Sequence, residues 1–161
     1  MHRNNDPILG YRFVLELGFI QVAGFTECTG LALETKVTEY REGGRNAGPL
    51  KFPEVGAVSN ITLKRGIVPG PNADIILKWH LDVMRGEFNA ANNPNQRKAS
   101  PDEDIDKRCA IVLQDEAGEV VKRWVLVRAF PVKWVGPELK AMVSEVAVEA
   151  LELAYEALEP A

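Results

Sequence analysis

Alternating apolar and polar residues mark short strands along most of this chain. Every second residue from Tyr11 to Leu17 is apolar, which is the period of a half-buried strand. Similar alternation, with Thr and Val enrichment in places, predicts further strands over residues 19–25, 33–41, 59–65 and 108–114. The pattern therefore predicts a mainly β chain.

Residues 119–135 follow a predicted hairpin turn and form the longest predicted strand. Large apolar side chains lie on both of its faces, with Trp124 and Phe130 on one and Val125 and Val127 on the other. A strand with one solvated face has a polar side. The two-sided pattern therefore predicts a second packing surface, such as a neighbouring subunit.

One helix is predicted over residues 72–86. Pro71 precedes it, Asn72 or Asp74 can cap its start, and Gly86 can end it in the left-handed conformation. The spacing predicts an apolar and a polar stripe, formed respectively by Ile76, Trp79 and Val83 and by Lys78, Asp82 and Arg85.

Residues 142–158 fit two structures. Four glutamates spaced by four, three and four residues, from Glu145 to Glu156, are typical of the polar stripe of a helix, and Ala and Leu favour helix as well. Residues 145–149 and 151–155 also alternate as two strand-like pieces. The residues alone favour the helix.

Two segments lack any regular period. Residues 42–56 contain four glycines and two prolines, a density that stops regular structure. A loop of this length inside a compact domain either binds something or is a mobile surface excursion. Residues 89–106 are polar and aperiodic, as expected of a surface loop.

Composition narrows the class of protein. With 161 residues, 46% of them hydrophobic, the chain fits a single domain, residues 1–161. A net charge of −4 with scattered basic pairs argues against nucleic-acid binding. No run approaches the ~20 apolar residues of a membrane span, and the first residues lack the apolar region of an export signal.

No catalytic or metal-binding set emerges from the sequence. The two histidines are His2, near the terminus, and His80, inside the predicted helix; Cys28 and Cys109 are expected to be reduced thiols. One acidic run has the spacing of a calcium loop but lacks its glycine and its closing glutamate; it comprises Asp102, Asp104 and Asp106. We therefore expect no enzyme, no metal and no cofactor, although a chain with 23 acidic residues could hide a catalytic carboxylate pair.

Three motifs resemble a known family. Residues 24–31 read Gly-Phe-Thr-Glu-Cys-Thr-Gly-Leu, residues 38–44 read Thr-Glu-Tyr-Arg-Glu-Gly-Gly, and residues 59–65 read Ser-Asn-Ile-Thr-Leu-Lys-Arg. In this order they resemble the inner-tube proteins of contractile phage tails and phage-tail-like injection particles, and more distantly the haemolysin-coregulated tube protein of type VI secretion. Residues 89–106 depart from the family by being longer and more acidic.

The resemblance implies a fold and a non-enzymatic function. Its members are small antiparallel β-barrels or sandwiches with one helix, and the family pattern makes residues 142–158 a strand. Six copies form a ring around a channel, and stacked rings form a tube inside a contractile sheath. Implied partners are further copies of the chain, a sheath protein, baseplate or spike-hub and terminator proteins, and possible cargo in the channel. Assembly in the bacterial cytoplasm is implied as well.

The resemblance also changes the interpretation of the glycine-rich segment, which becomes a loop arm, residues 42–58, that contacts a neighbour. Candidate interface residues are Tyr40, Arg41, Glu42, Gly43, Gly44, Arg45, Leu50, Lys51, Phe52, Val125 and Val127. The alternative is a monomeric β-barrel that binds a small ligand in its own interior.

Overall fold

The computed structural model describes residues 11–17, 20–44, 46–67, 69–70, 73–86, 109–142 and 145–161. These residues form eleven strands and one helix. In chain order they are β1 (Arg12–Leu17), β2 (Ile20–Phe25), β3 (Glu27–Thr29), β4 (Leu33–Tyr40), β5 (Leu50–Val58), β6 (Ile61–Gly66), α1 (Ile75–Met84), β7 (Cys109–Gln114), β8 (Val120–Val127), β9 (Phe130–Val135), β10 (Val148–Ala154) and β11 (Ala157–Pro160).

Antiparallel pairing gathers the described strands into three sheets. The first has five strands in the order β11-β8-β7-β1-β2, the second has four in the order β3-β6-β10-β9, and β4 pairs only with β5. The prediction of a mainly β sandwich-like fold with one helix is confirmed. The described strands do not close into a barrel.

The core lies between the two larger sheets and the helix. Alternate residues of β1, β7 and β8 contribute Leu15, Ile111 and Leu126 from the first sheet, and β6 and β10 contribute Ile61 and Leu153 from the second. Period-two alternation produces this arrangement, because successive side chains of a strand point to opposite faces.

The chain crosses between the two larger sheets at three corners. β2 leads into β3 at Thr26, β8 into β9 at Arg128, and β10 into β11 at Glu156. Two of the corners are joined, since the Glu156 amide donates to the Val127 carbonyl at 2.9 Å and Arg128 pairs with Glu156 at 3.4 Å. The prediction of one continuous strand over residues 119–135 was therefore wrong: Arg128 adopts φ 50° and turns the chain into the other sheet.

The helix is shorter than predicted, Ile75–Met84 against residues 72–86. Asp74 holds the N-cap position without a side-chain cap hydrogen bond, and Gly86 follows the helix with φ 78°, as predicted. The polar stripe was partly wrong, because Asp82 is buried on the same side as Trp79. Asp82 comes three positions after Trp79, a spacing that places the two side chains on one face of a helix.

A buried ion pair connects the helix start to the second sheet. The guanidinium of Arg65 on β6 is 1% exposed; its Nε donates to Glu149 on β10, and its Nη2 donates to the Ala73 carbonyl at 2.8 Å. Trp134 Nε1 on β9 donates to the second carboxylate oxygen of Glu149 at 3.0 Å. Three strands and the chain entering α1 are therefore held by one charge pair.

The carboxy-terminal stretch is strand, as the family pattern implies, and not helix. β10 runs from the end of the first alternating piece, residues 145–149, through most of the second, residues 151–155, and β11 follows after a bend at Glu156. Residues 42–58 differ from the predicted loop, since Leu50–Val58 is a regular strand. The polar segment predicted over residues 89–106 lies outside the described residues.

Candidate assembly interface

The β4–β5 hairpin, which we call the arm, stands apart from the rest of the described structure. Neither of its strands pairs with another described strand, and every residue of β4 is exposed. On β5 only the end residues, Leu50 and Val58, are partly covered. A lone two-stranded ribbon is at best marginally stable in water. The arm therefore has the form of a segment that gains stability by contacting something else.

Local sequence explains both ends of the arm. At its root, Leu31 and Val58 pack against the core, and the arm leaves the second sheet between β3 and β6. At its tip, Gly44 and Gly48 both have φ 88°, a conformation that suits glycine. The glycines that predicted a loop therefore form the turn of a hairpin.

The outer half of the arm has two different faces. Tyr40 lies opposite Leu50 and Thr38 opposite Phe52, so three large apolar side chains share one face. On the other face Glu39 lies opposite Lys51, with 3.6 Å between carboxylate and ammonium. Tyr40 is 58% exposed and Phe52 52% exposed. The apolar face is therefore an accessible surface with no cover among the described residues.

The structure brings most of the predicted interface residues together. Tyr40 ends β4, Leu50, Lys51 and Phe52 begin β5, and the turn between them holds Arg41, Glu42, Gly43 and Gly44. Arg45 is outside the described residues. Their clustering follows from the hairpin, which places residues about ten positions apart side by side.

Val125 and Val127 lie elsewhere, on β8 in the five-stranded sheet. Val125 is 8% exposed and clusters with Ala110 and Val112 of the same chain. The expectation that Val125 needs a neighbouring subunit to cover it was therefore wrong. Val127 is half-buried and pairs with Ala157 on β11.

A second exposed apolar surface was missed by the sequence analysis. The described residues between β9 and β10 belong to no helix or strand, and among them Leu139, Met142 and Val146 are largely exposed, Met142 by 97%. With Val135 and Val148 at the strand ends, this connection lines an open cleft of about 540 Å³, which we call the β9–β10 cleft. The apolar residues just before the Glu-rich strand could have indicated this surface. The sequence analysis instead treated those from residue 142 onwards as part of one segment, residues 142–158.

The chemistry of the described residues is sparse. No three His, Cys, Asp or Glu side chains in the described ranges are grouped closely enough to hold a metal ion. Burial, with a smaller contribution from the charge of Glu16, raises the pKa of Cys109 from 9.0 to about 12, so this thiol is a poor nucleophile. Burial also raises the pKa of the Cys28 thiol. Across the described part of the chain, no helix has both the length and the apolar character needed to cross a membrane.

Comparison with known proteins places the chain in a family. The family model described as T4-like virus tail tube protein gp19 matches residues 9–159. The chain belongs to the T4-like tail tube protein family. The resemblance read from the three sequence motifs is thereby confirmed. This is a family of structural tube proteins, not of enzymes.

Solved structures of tail tube proteins share the fold. A chain from the sheath-tube complex of the extracellular contractile injection system PVC, in its extended state, is 25% identical with a TM-score of 0.69, covering 98% of this chain and 93% of that one. A chain from the tube-terminating cap of the anti-feeding prophage AFP is 30% identical with a TM-score of 0.67, covering 100% and 96%. No curated protein matched the chain.

Proposed function

We propose that this chain is the inner-tube subunit of a contractile phage tail or of a phage-tail-like injection particle. In this proposal six copies form a ring around a central channel, and rings stack into a tube. The activity of the chain is then self-assembly, and transport occurs through the channel that the assembly encloses.

Beyond family membership, the main support for this proposal is the exposed apolar face of the arm. A ribbon with an uncovered apolar face is poorly explained in a solitary subunit but is well suited to an assembly that covers it. Tyr40, Leu50 and Phe52 supply the apolar contact, and Arg41, Glu42 and Lys51 supply the charges around it. Gly43 and Gly44 allow the tight turn.

Similar chains suggest the partners. They were solved in complexes described as sheath-tube, sheath/tube terminator and tube-terminating cap. We propose that this chain likewise contacts a sheath protein along the tube, a baseplate or spike hub at one end and a terminator at the other, with cargo in the channel. Assembly in the bacterial cytoplasm fits this role.

Negative-stain microscopy together with native mass spectrometry tests the proposal. We expect rings with a mass of six times 17.8 kDa, about 107 kDa, and tubes with a central channel at higher concentration. A single species of 17.8 kDa at every concentration would contradict it and would favour the monomeric ligand-binding alternative.

A further inference from the structure

The arm and the β9–β10 cleft lie at opposite ends of the second sheet. The arm joins this sheet just before Ile61, the first residue of β6, whereas the cleft begins at Val148, which pairs with Gly66, the last residue of β6. At ~3.3 Å per residue, the five steps from Ile61 to Gly66 separate the two sites by about 17 Å. Two copies arranged head to tail would bring one arm to the other cleft.

Their surfaces match in apolar character. The outer arm offers the face formed by Tyr40, Leu50 and Phe52. The cleft offers Leu139 and Val146, which are exposed and line it. Each surface alone would leave large apolar groups in water, and contact between them covers both.

The unpaired charges of the arm tip and the cleft include one pair of opposite sign. At the cleft, Glu138 pairs with Lys140 at 3.2 Å, which leaves Glu145 as a lining carboxylate without an ion-pair partner among the described residues. At the arm tip, Lys51 is paired with Glu39, and neither Arg41 nor Glu42 has an ion-pair partner within the described ranges. Of these two tip charges, the Arg41 guanidinium is the one that can pair with the Glu145 carboxylate of the cleft.

We infer that the arm of one copy docks in the β9–β10 cleft of a second copy. The apolar face enters the cleft, and Arg41 lies against Glu145. This contact rests on the proposed self-assembly and specifies which surface receives the arm. Because donor and acceptor are different parts of the same chain, the contact is heterologous and repeats from copy to copy.

Cysteine cross-linking tests the contact directly. The double variant Thr38→Cys with Val146→Cys, oxidised after assembly, keeps Phe52, which lies opposite Thr38 on the same face, and is expected to give a ladder of covalent multimers longer than dimer on non-reducing gels. The matched control is Val55→Cys with Val146→Cys, because Val55 is 90% exposed but lies nearer the arm root. We expect no ladder from this control, and none from the wild-type chain with its own cysteines.

The outcomes separate this contact from the proposed function. Tubes seen by microscopy without a ladder would overturn the arm–cleft contact and leave tube formation intact. Covalent dimers alone would overturn the head-to-tail arrangement. Absence of rings and tubes in the wild-type chain would overturn the proposed function itself.

Charge reversal provides a second test that avoids cysteine chemistry. Arg41→Glu and Glu145→Arg are each expected to raise the protein concentration needed for tubes about tenfold, because each places like charges in contact. Combining the two is expected to restore most of the loss. Lys36→Glu, on the same arm but away from its tip, is the control and should change little. Equal effects of the control, or no recovery in the double variant, would contradict the contact.

Discussion

The buried charge pair of Arg65 and Glu149 allows a quantitative test of the fold. Replacing Glu149 by leucine leaves the guanidinium of Arg65, 1% exposed, without its counter-charge, and leaves the indole N–H of Trp134 without its acceptor. Removing one partner of such a pair costs about 3–5 kcal/mol of unfolding free energy. For a domain of this size each kcal/mol lowers the melting temperature by about 2–4 °C, so we expect a fall of about 6–20 °C.

The assay is thermal and urea unfolding followed by circular dichroism, below the concentration at which tubes form, since assembly would add its own stabilisation. Three variants complete the series. Glu149→Gln keeps an acceptor for Trp134 and should lose less. Arg65→Met with Glu149→Leu removes both charges and should recover most of the loss. Glu39→Gln breaks the exposed pair with Lys51 and should cost under about 1 kcal/mol.

The comparison between buried and exposed pairs decides the outcome. If Glu149→Leu is no more destabilising than Glu39→Gln, then the Arg65 guanidinium finds water or another acceptor, and the pair does not hold β6, β9, β10 and the helix start together. If the double variant is as unstable as Glu149→Leu, then the loss comes from altered packing and not from an uncompensated charge.

Three further predictions concern the arm, its root and the buried thiol. Phe52→Ser should abolish tubes in the microscope while leaving the melting temperature within about 1 °C, because Phe52 contacts no part of the core. Gly30→Ala should cost about 2 kcal/mol or more in urea unfolding, because Gly30 has φ 87° and a Cβ there would collide with the Asn60 carbonyl; Gly43→Ala, in open space, should cost far less. Because the pKa of Cys109 is raised in the folded chain, the unfolded chain loses the thiol proton at lower pH. The free energy of unfolding should therefore fall as pH rises from 9.0 towards 12. In Cys109→Ala, the urea concentration at the unfolding midpoint should fall less over the same pH range.

Where one physical signal dominates, the sequence predicted the structure well. Alternation predicted β1, because Leu15 and Leu17 lie on one face and are buried. The helix followed from Trp79 and its apolar neighbours, and its end from Gly86. The family pattern decided β10 in favour of strand, where the glutamate spacing alone favoured helix.

Long-range contacts account for the errors. Nothing near Arg128 in sequence marks a corner, since the turn is held by the distant Glu156. Asp82 has the spacing of a solvated stripe, and only the approach of other elements buries it. Val125 was assigned to a neighbour because its strand has apolar residues on both faces, and only the fold shows that Val125 is buried beside Ala110 and Val112 of β7.

The sequence predicted which segment holds the interface residues of the arm, but it did not predict that this segment forms a hairpin. Glycine and proline density marked residues 42–56 as unusual, yet composition could not show that Leu50–Val58 pairs with β4. The β9–β10 cleft escaped notice because only the folded structure shows that Leu139 and Val146 remain exposed while other apolar residues are buried. The exposure of an apolar side chain depends on the folded surface, and the spacing of apolar residues along the sequence does not predict it.

The two-stranded form of the arm has a consequence for handling the free subunit. Each strand has one neighbour, so a row of backbone amides and carbonyls lies open along both outer sides, where another chain could add a strand indiscriminately. Pro53 has no amide hydrogen to offer, and the register shifts between Thr35 and Val37, which interrupts the regular ladder. Substituting Pro53 with a β-branched residue would remove one of these interruptions and should turn soluble subunits into amorphous or fibrous precipitate before ordered particles appear.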